Sequence, residues 1–120
     1  MNQVVFSHAA VEDRRAITAY TVERFGIGQA RRLRDHFEAT LERLLLFPNS
    51  GQLRPDLDPD GRTFRYVVVS KSFILVYEPH DGGIRVARIL LGARQLVWEL
   101  ERDHGSHDSS ERDNGEGNGG

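Results

Sequence analysis

Apolar side chains recur at helical spacing through the first half of the chain and gather into unbroken β-rich runs from residue 62 onward. Val4-Val5-Phe6 predicts a short strand, and Ser7 behind it is a good N-cap, because its hydroxyl can accept from an unpaired backbone N–H of the following turn. Ala10, Ile17 and Tyr20 then mark a helix over roughly Ala9 to Phe25, with Glu12 and Asp13 expected in its first turn, where the macrodipole favours anions. Gly26-Ile27-Gly28 stops that run. Ala30, Leu33, Phe37, Leu41, Leu44 and Leu45 form the strongest stripe in the chain, with Arg31, Arg34, Asp35, Glu38 and Glu42 around the rest of the second helix. Each large side chain of that stripe stabilises by roughly 1.5–3 kcal/mol when fully buried, so the face must lie against something. The short glycine link makes the two helices an αα-hairpin.

Pro48-Asn49-Ser50-Gly51 ends the second helix, and the Pro- and Asp-rich stretch to Gly61 reads as a loop. Three strands follow, over Thr63–Val69, Ser72–Tyr77 and Ile84–Leu91. Ser70-Lys71 and Pro79-His80-Asp81-Gly82-Gly83 are links of hairpin length, and Asp-Gly tolerates the positive φ of a tight turn. The expected architecture is α+β in the order β-α-α-β-β-β. An antiparallel meander carries the helical hairpin on its apolar side and the first strand at one side of the sheet. Ala93 to Glu101 suits a short closing helix.

A chain of 120 residues, 38% hydrophobic, is long enough for one core and too short for two. The folded domain is expected over residues 1–102. Residues 103–120 carry no large apolar side chain and read as an acidic Gly/Ser-rich disordered tail. There are no cysteines, which excludes disulfides, thiolate metal sites and cysteine nucleophiles. Neither a leader-like N-terminus nor a membrane-length apolar run is present, so a cytoplasmic protein is expected. The net charge of −2 hides a tail of −4 on a body of +2, and Lys71 is the one lysine against fifteen arginines. Guanidinium forks suit carboxylates and phosphates, although a GC-rich genome yields the same bias.

Arg54, Arg62, Arg65, Arg88 and Arg94 fall on the loop, the strands or their exit, and are candidates for a basic target-binding surface. The plainer reading is a set of solvated or paired arginines with Asp56, Asp58, Asp60 and Glu78 at hand. Arg88 shares strand parity with Ile84, Val86 and Leu90, so a buried face there would oblige its charge to find a partner or a water-filled groove. Trp98 is a candidate contact anchor or a cap on the core. Tyr66 and Tyr77 sit on β-rich runs, where packing with a bonded hydroxyl is the simpler role than proton transfer. His8, His36 and His80 have no metal-ligand spacing, and no glycine loop is built to cradle phosphate, so neither metal nor cofactor is expected.

The order of elements resembles the RelE/ParE superfamily of toxins from about Val4 to Leu100. The likeness rests on Pro48 to Gly51, Leu53-Arg54-Pro55-Asp56-Leu57, Phe73-Ile74-Leu75-Val76-Tyr77 and Arg88-Ile89-Leu90-Leu91-Gly92-Ala93-Arg94. The last of these is most similar to the ParE branch, although Leu91 stands where many ParE toxins have His and Ile74 where a cation is usual. That branch implies the toxin of a type II toxin–antitoxin pair. Such a toxin binds DNA gyrase, is silenced by a ParD-like antitoxin and meets DNA only through that antitoxin. Tyr20, Phe37 and Leu41 are then candidates for the antitoxin contact.

The RelE branch implies instead a ribosome-dependent mRNA endonuclease. Its cations and tyrosine fall here on Arg65, Val67, Ile74, Arg94 and Leu100, of which only the arginines can stabilise a phosphorane-like transition state. No catalytic residue is therefore assigned. A third possibility is a non-toxic scaffold of the same fold that only binds partners.

Overall fold

The computed structural model describes residues 3–106, the side chains at 94 and 102–106 excepted; most of the tail expected from Asp103 onward lies outside the described residues. Strand β1 (Val4–Phe6) leads into α1 (His8–Leu46), followed by β2 (Gln52–Leu53), β3 (Arg65–Val69), β4 (Phe73–His80), β5 (Gly83–Leu91) and α2 (Arg94–Ser106). The sheet order is β1-β5-β4-β3-β2. Its meander β3-β4-β5 is antiparallel as expected, and β1 joins the far side of β5 in parallel, which makes the sheet mixed.

Ser7 caps α1 as its sequence position suggests: its backbone is extended and its Oγ accepts from the Ala10 N–H at 3.0 Å. The helical run breaks at Gly26, whose φ of 88° only glycine adopts freely, and so forms the two arms of the hairpin. The helix begins at His8, one residue earlier than expected, and Glu12 and Asp13 consequently fall beyond its first turn. Asp13 serves the sheet instead of the helix dipole.

The hairpin covers one face of the sheet. Ala10 and Leu44 are buried there against Val69, Leu75, Tyr77, Ile84, Val86 and Ile89, with Ile17, Leu33, Phe37, Leu41 and Leu45 half-buried around them. The opposite face, which the alternation did not single out, has a core of its own. Phe64, Tyr66, Ile74, Val76 and Ala87 are buried beneath Val97 and Leu100 of α2. This second core gives the closing helix a reason to form, and α2 runs to Ser106, past the expected end at Glu101. Two residues of the presumed loop, Gln52 and Leu53, pair with Tyr66 and Arg65 as a minimal edge strand.

Tyr77 ties the two halves together. Its ring is wholly buried, and its hydroxyl donates to the Pro48 carbonyl at 2.8 Å and accepts from the Gly51 N–H at 2.9 Å. Arg65 donates to the carbonyls of Asn49 and Gly51 from the neighbouring strand, so the turn after α1 is held by side chains in place of regular structure. A Cβ on Gly51 would lie 2.7 Å from the Tyr77 ring, inside contact distance.

Tyr77→Phe should lower stability by roughly 2 kcal/mol, because it strands two backbone groups, one of them buried. Gly51→Ala should destabilise similarly by pushing the same ring away. Thermal melts check both, with midpoints expected to fall by roughly 10 °C; a midpoint unchanged in Tyr77→Phe would remove the anchor role.

Candidate functional site

Three concave regions among the described residues combine apolar and charged side chains. The first is a cleft of about 90 Å³ between the hairpin arms and the sheet, walled by Ile17, Thr21, Ala30, Leu33, Phe37 and Leu41. Arg14, Arg34 and Glu38 stand at its rim, and the Arg14 guanidinium lies 4.5 Å from the centre of the Phe6 ring. Leu75 and Ile89 of the sheet form the floor of the cleft, and Phe37 packs beside it on Phe73, ring centres 5.9 Å apart. Phe37 and Leu41 therefore face into this cleft. Tyr20 does not: it is half-exposed on the first arm, edge-on to Phe25 near the hairpin tip, with Arg24 over its ring.

The second region is a groove of about 310 Å³ between the end of α1 and α2, lined by Arg43, Phe47, Val67, Val68, Leu100 and Glu101. The third lies where β5 meets α2. Leu91 is 75% exposed and Trp98 50%, and both border a depression shared with Lys71 and Ser72. Gly92 makes this junction possible, since a Cβ there would sit 2.5 Å from the Val97 side chain. Ser70 and Lys71 both hold positive φ, 55° and 64°, a conformation that costs residues with a Cβ roughly 1–2 kcal/mol apiece.

The candidate arginines are spread across the sheet, and Arg54, Arg62, Arg65 and Arg88 each find a partner nearby. Arg54 forks onto Asp56 at 2.7 and 2.9 Å and reaches Glu99 of α2 at 3.5 Å. Arg62 and Arg85 converge on one oxygen of Glu78, at 2.7 and 3.1 Å, and Arg62 stacks over Phe64. Arg65 is bound to the turn as described. Arg88 forks onto Asp13 at 2.7 and 2.9 Å, on the opposite side of the sheet from Arg54 and Arg65. Arg94 opens α2, and its side chain lies outside the described residues. The plainer expectation that Asp56 and Glu78 would serve as partners matches this geometry.

Tyr66 donates to Asp58 at 2.7 Å, and Asp58 also accepts from the Phe64 N–H. Burial and the adjacent carboxylate push the Tyr66 phenol well above its ordinary range, and burial raises that of Tyr77. Both are packing residues with bonded hydroxyls. Among the described residues no three His, Asp or Glu side chains group as a metal site, and no helix is long and apolar enough to cross a membrane.

Asp13, expected only as an anion in the first turn of the helix, is tied to the sheet instead. Its carboxylate is held below the usual range by the Arg88 fork, against the opposing effect of burial and with help from the Ile89 N–H at 2.9 Å. A depressed folded-state value means that this bond stabilises above the unfolded carboxylate range, about 3.9, and is lost as pH falls through the lower folded value. Acid titration of the thermal midpoint should therefore show a decline below about pH 4 that is shallower in Asp13→Asn. It should not vanish there, since Arg54 likewise lowers Asp56. Equal acid sensitivity in the two proteins would mean that the ion pair does not contribute.

A family model described as the ParE toxin of the type II toxin–antitoxin system parDE matches residues 4–96. Among solved structures the chain is similar to one of the chromosomal ParDE TA system from P. aeruginosa, with a TM-score of 0.62 and 20% identity, over 78% of this chain and 98% of that one. At such identity the likeness speaks to the fold. No curated protein matches.

Proposed function

The chain belongs to the ParE toxin family of type II toxin–antitoxin systems, and from that premise we propose that it arrests bacterial growth by binding DNA gyrase and is silenced by a ParD-like antitoxin. The observation that carries this reading is the family match itself, which spans both the hairpin and the sheet. The antitoxin's place is the cleft of Phe37 and Leu41, where an amphipathic segment can lay an apolar stripe between the arms and meet Arg14 or Arg34 with a carboxylate. A segment that orders only on binding gives up chain entropy, which suits a partner removed by proteolysis. Tyr20 extends the same contact along the first arm. DNA is reached only through the antitoxin.

For the target, Trp98 is the anchor, because it is a rigid aromatic left half-exposed and Trp is enriched among interface hot spots. Arg54, which reaches Glu99 on the same helix as Trp98, and Arg94, which opens that helix, supply the polar surroundings, while Arg62, Arg65 and Arg88 lie farther across the sheet as outlying contacts, each pre-oriented by its carboxylate or carbonyl partner. A binding role, rather than RNA cleavage, is supported by the chemistry at three positions. Ile74 and Leu100 are buried in the second core and Val67 packs against the first, and none offers a charge or a proton.

Purified free protein should inhibit gyrase supercoiling at micromolar concentration, and full supercoiling at micromolar excess would sink the gyrase assignment. Codon-phased mRNA ends on translating ribosomes would point to the endonuclease branch, and normal growth on induction to a scaffold. For the antitoxin, Ala30→Leu should fill the cleft and weaken binding at least about tenfold, equivalent to ~1.4 kcal/mol, with the fold intact by circular dichroism. Undiminished antitoxin affinity in that variant would move the contact elsewhere.

A further inference from the structure

The two outer strands of the sheet are short, and each leaves part of its neighbour uncovered. Strand β1 pairs with β5 only from Ile84 to Val86, although β5 runs on to Leu91. Past that point the outward backbone groups of β5 would form an open edge, and an open edge is a template for pairing with another chain. Leu90 and Leu91, 38% and 75% exposed, add apolar surface to the same segment.

Successive outward groups there are taken by side chains and backbone from the start of α1. The Ser7 N–H donates to the Val86 carbonyl at 3.0 Å, and the Ser7 hydroxyl donates to the Ala87 carbonyl at 2.7 Å. The Ile89 N–H donates to Asp13 at 2.9 Å, and the same carboxylate receives the Arg88 fork. Asp13 lies 76 residues away in sequence and is mostly covered, at 16% exposure, so this is not a casual surface pair.

We propose that Asp13, with Ser7, is an edge guard. It occupies the donor that an incoming strand would need and places an anion where that strand's carbonyl would have to sit. The occupant it turns away is the same edge of a second copy of this chain, related by a two-fold axis, with β5 running antiparallel to its twin over 88–91. Identical edges are self-complementary, and such pairing would cover Leu90 and Leu91 on both copies. Arg88 plays a positioning part: its fork fixes the carboxylate on the Ile89 N–H. The guard keeps a chain with a half-open sheet single until its proper partners arrive, independently of which partners those are.

Sedimentation of the free protein and its Asp13→Ala variant tests this. The parent should remain monomeric, and the variant, shown folded by circular dichroism, should self-associate at least about tenfold more tightly. Hydrogen exchange should then show concentration-dependent protection at 89–91, and adding Leu91→Lys should restore the monomer by setting a charge on the exposed edge. Asp13→Asn, which retains an acceptor for the Ile89 N–H, should fall between; it also stands in if Asp13→Ala does not fold. A folded variant that stays monomeric overturns the proposal. So does association that leaves 89–91 unprotected or that Leu91→Lys fails to relieve.

Discussion

A single extra residue in β5 organises the rest of the structure. Val76 pairs with Arg88 and Tyr77 with Val86, so Ala87 has no partner opposite it and the strand bulges. Before the bulge Ile84 and Val86 face the hairpin; after it Ile89 does, and Arg88 is released to solvent and to Asp13. With unbroken alternation Arg88 would have pointed into the hairpin core in company with Ile84 and Val86, an arrangement that isolates a buried charge at a cost of several kcal/mol. The bulge also aims the Ala87 side chain into the second core and its carbonyl at Ser7. The N-cap of α1, the end of β1 and the middle of β5 are thus fixed at one point.

Much of the fold is legible in the sequence because its strongest signals are local. The stripe from Ala30 to Leu45, the Ser7 cap, the Gly26 break and the Asp81-Gly82 turn each act within a few residues, and each is where the spacing places it. The second core also leaves a signal in the sequence, one that the expectation of a single apolar side does not use. Phe73-Ile74-Leu75-Val76-Tyr77 is apolar without alternation, which is how a strand covered on both faces reads, and all five residues are buried. The bulge could not be read in this way. One inserted residue exchanges the faces beyond it while leaving composition and turn residues unchanged, so strand parity groups Arg88 with Ile84 and Val86 whereas the bulge turns its side chain to the other face.

The candidate site was harder to read, since its chemistry depends on pairs distant in sequence. Arg54 meets Glu99 across 45 residues and Arg88 meets Asp13 across 75. A sequence can supply the count of arginines and the nearest acids, such as Asp56, but not the carboxylate that a helix brings from elsewhere. The same limit applies to Tyr77, whose packing was evident from its strand and whose hold on Pro48 and Gly51 was not. Arginines held in this way have already given up much of their rotamer freedom, so each is a more rigid recognition group than a free surface cation and a weaker attractor of distant charge.

The two arms of the hairpin are attached to the sheet by different physics. The first is bonded to it directly, through Ser7 and Asp13 to the backbone of β5. The second rests on apolar contact through Leu33, Phe37, Leu41 and Leu44, and only its end is fixed, where Tyr77 holds Pro48. Of the 39 residues of α1 only Ala10, Thr21, Thr40 and Leu44 are buried, so the stripe that demands cover is largely left half-covered. Apolar contact is non-directional and tolerates sliding, whereas a forked ion pair does not. The cleft therefore has one wall anchored by hydrogen bonds near its start and one held mainly by apolar contact, with the break at Gly26 between them. Part of the apolar area that the domain leaves uncovered lies on that second wall, at the half-buried Leu33, Phe37, Leu41 and Leu45, and a further part at the hairpin tip, where Phe25 and Ile27 are 63% and 60% exposed.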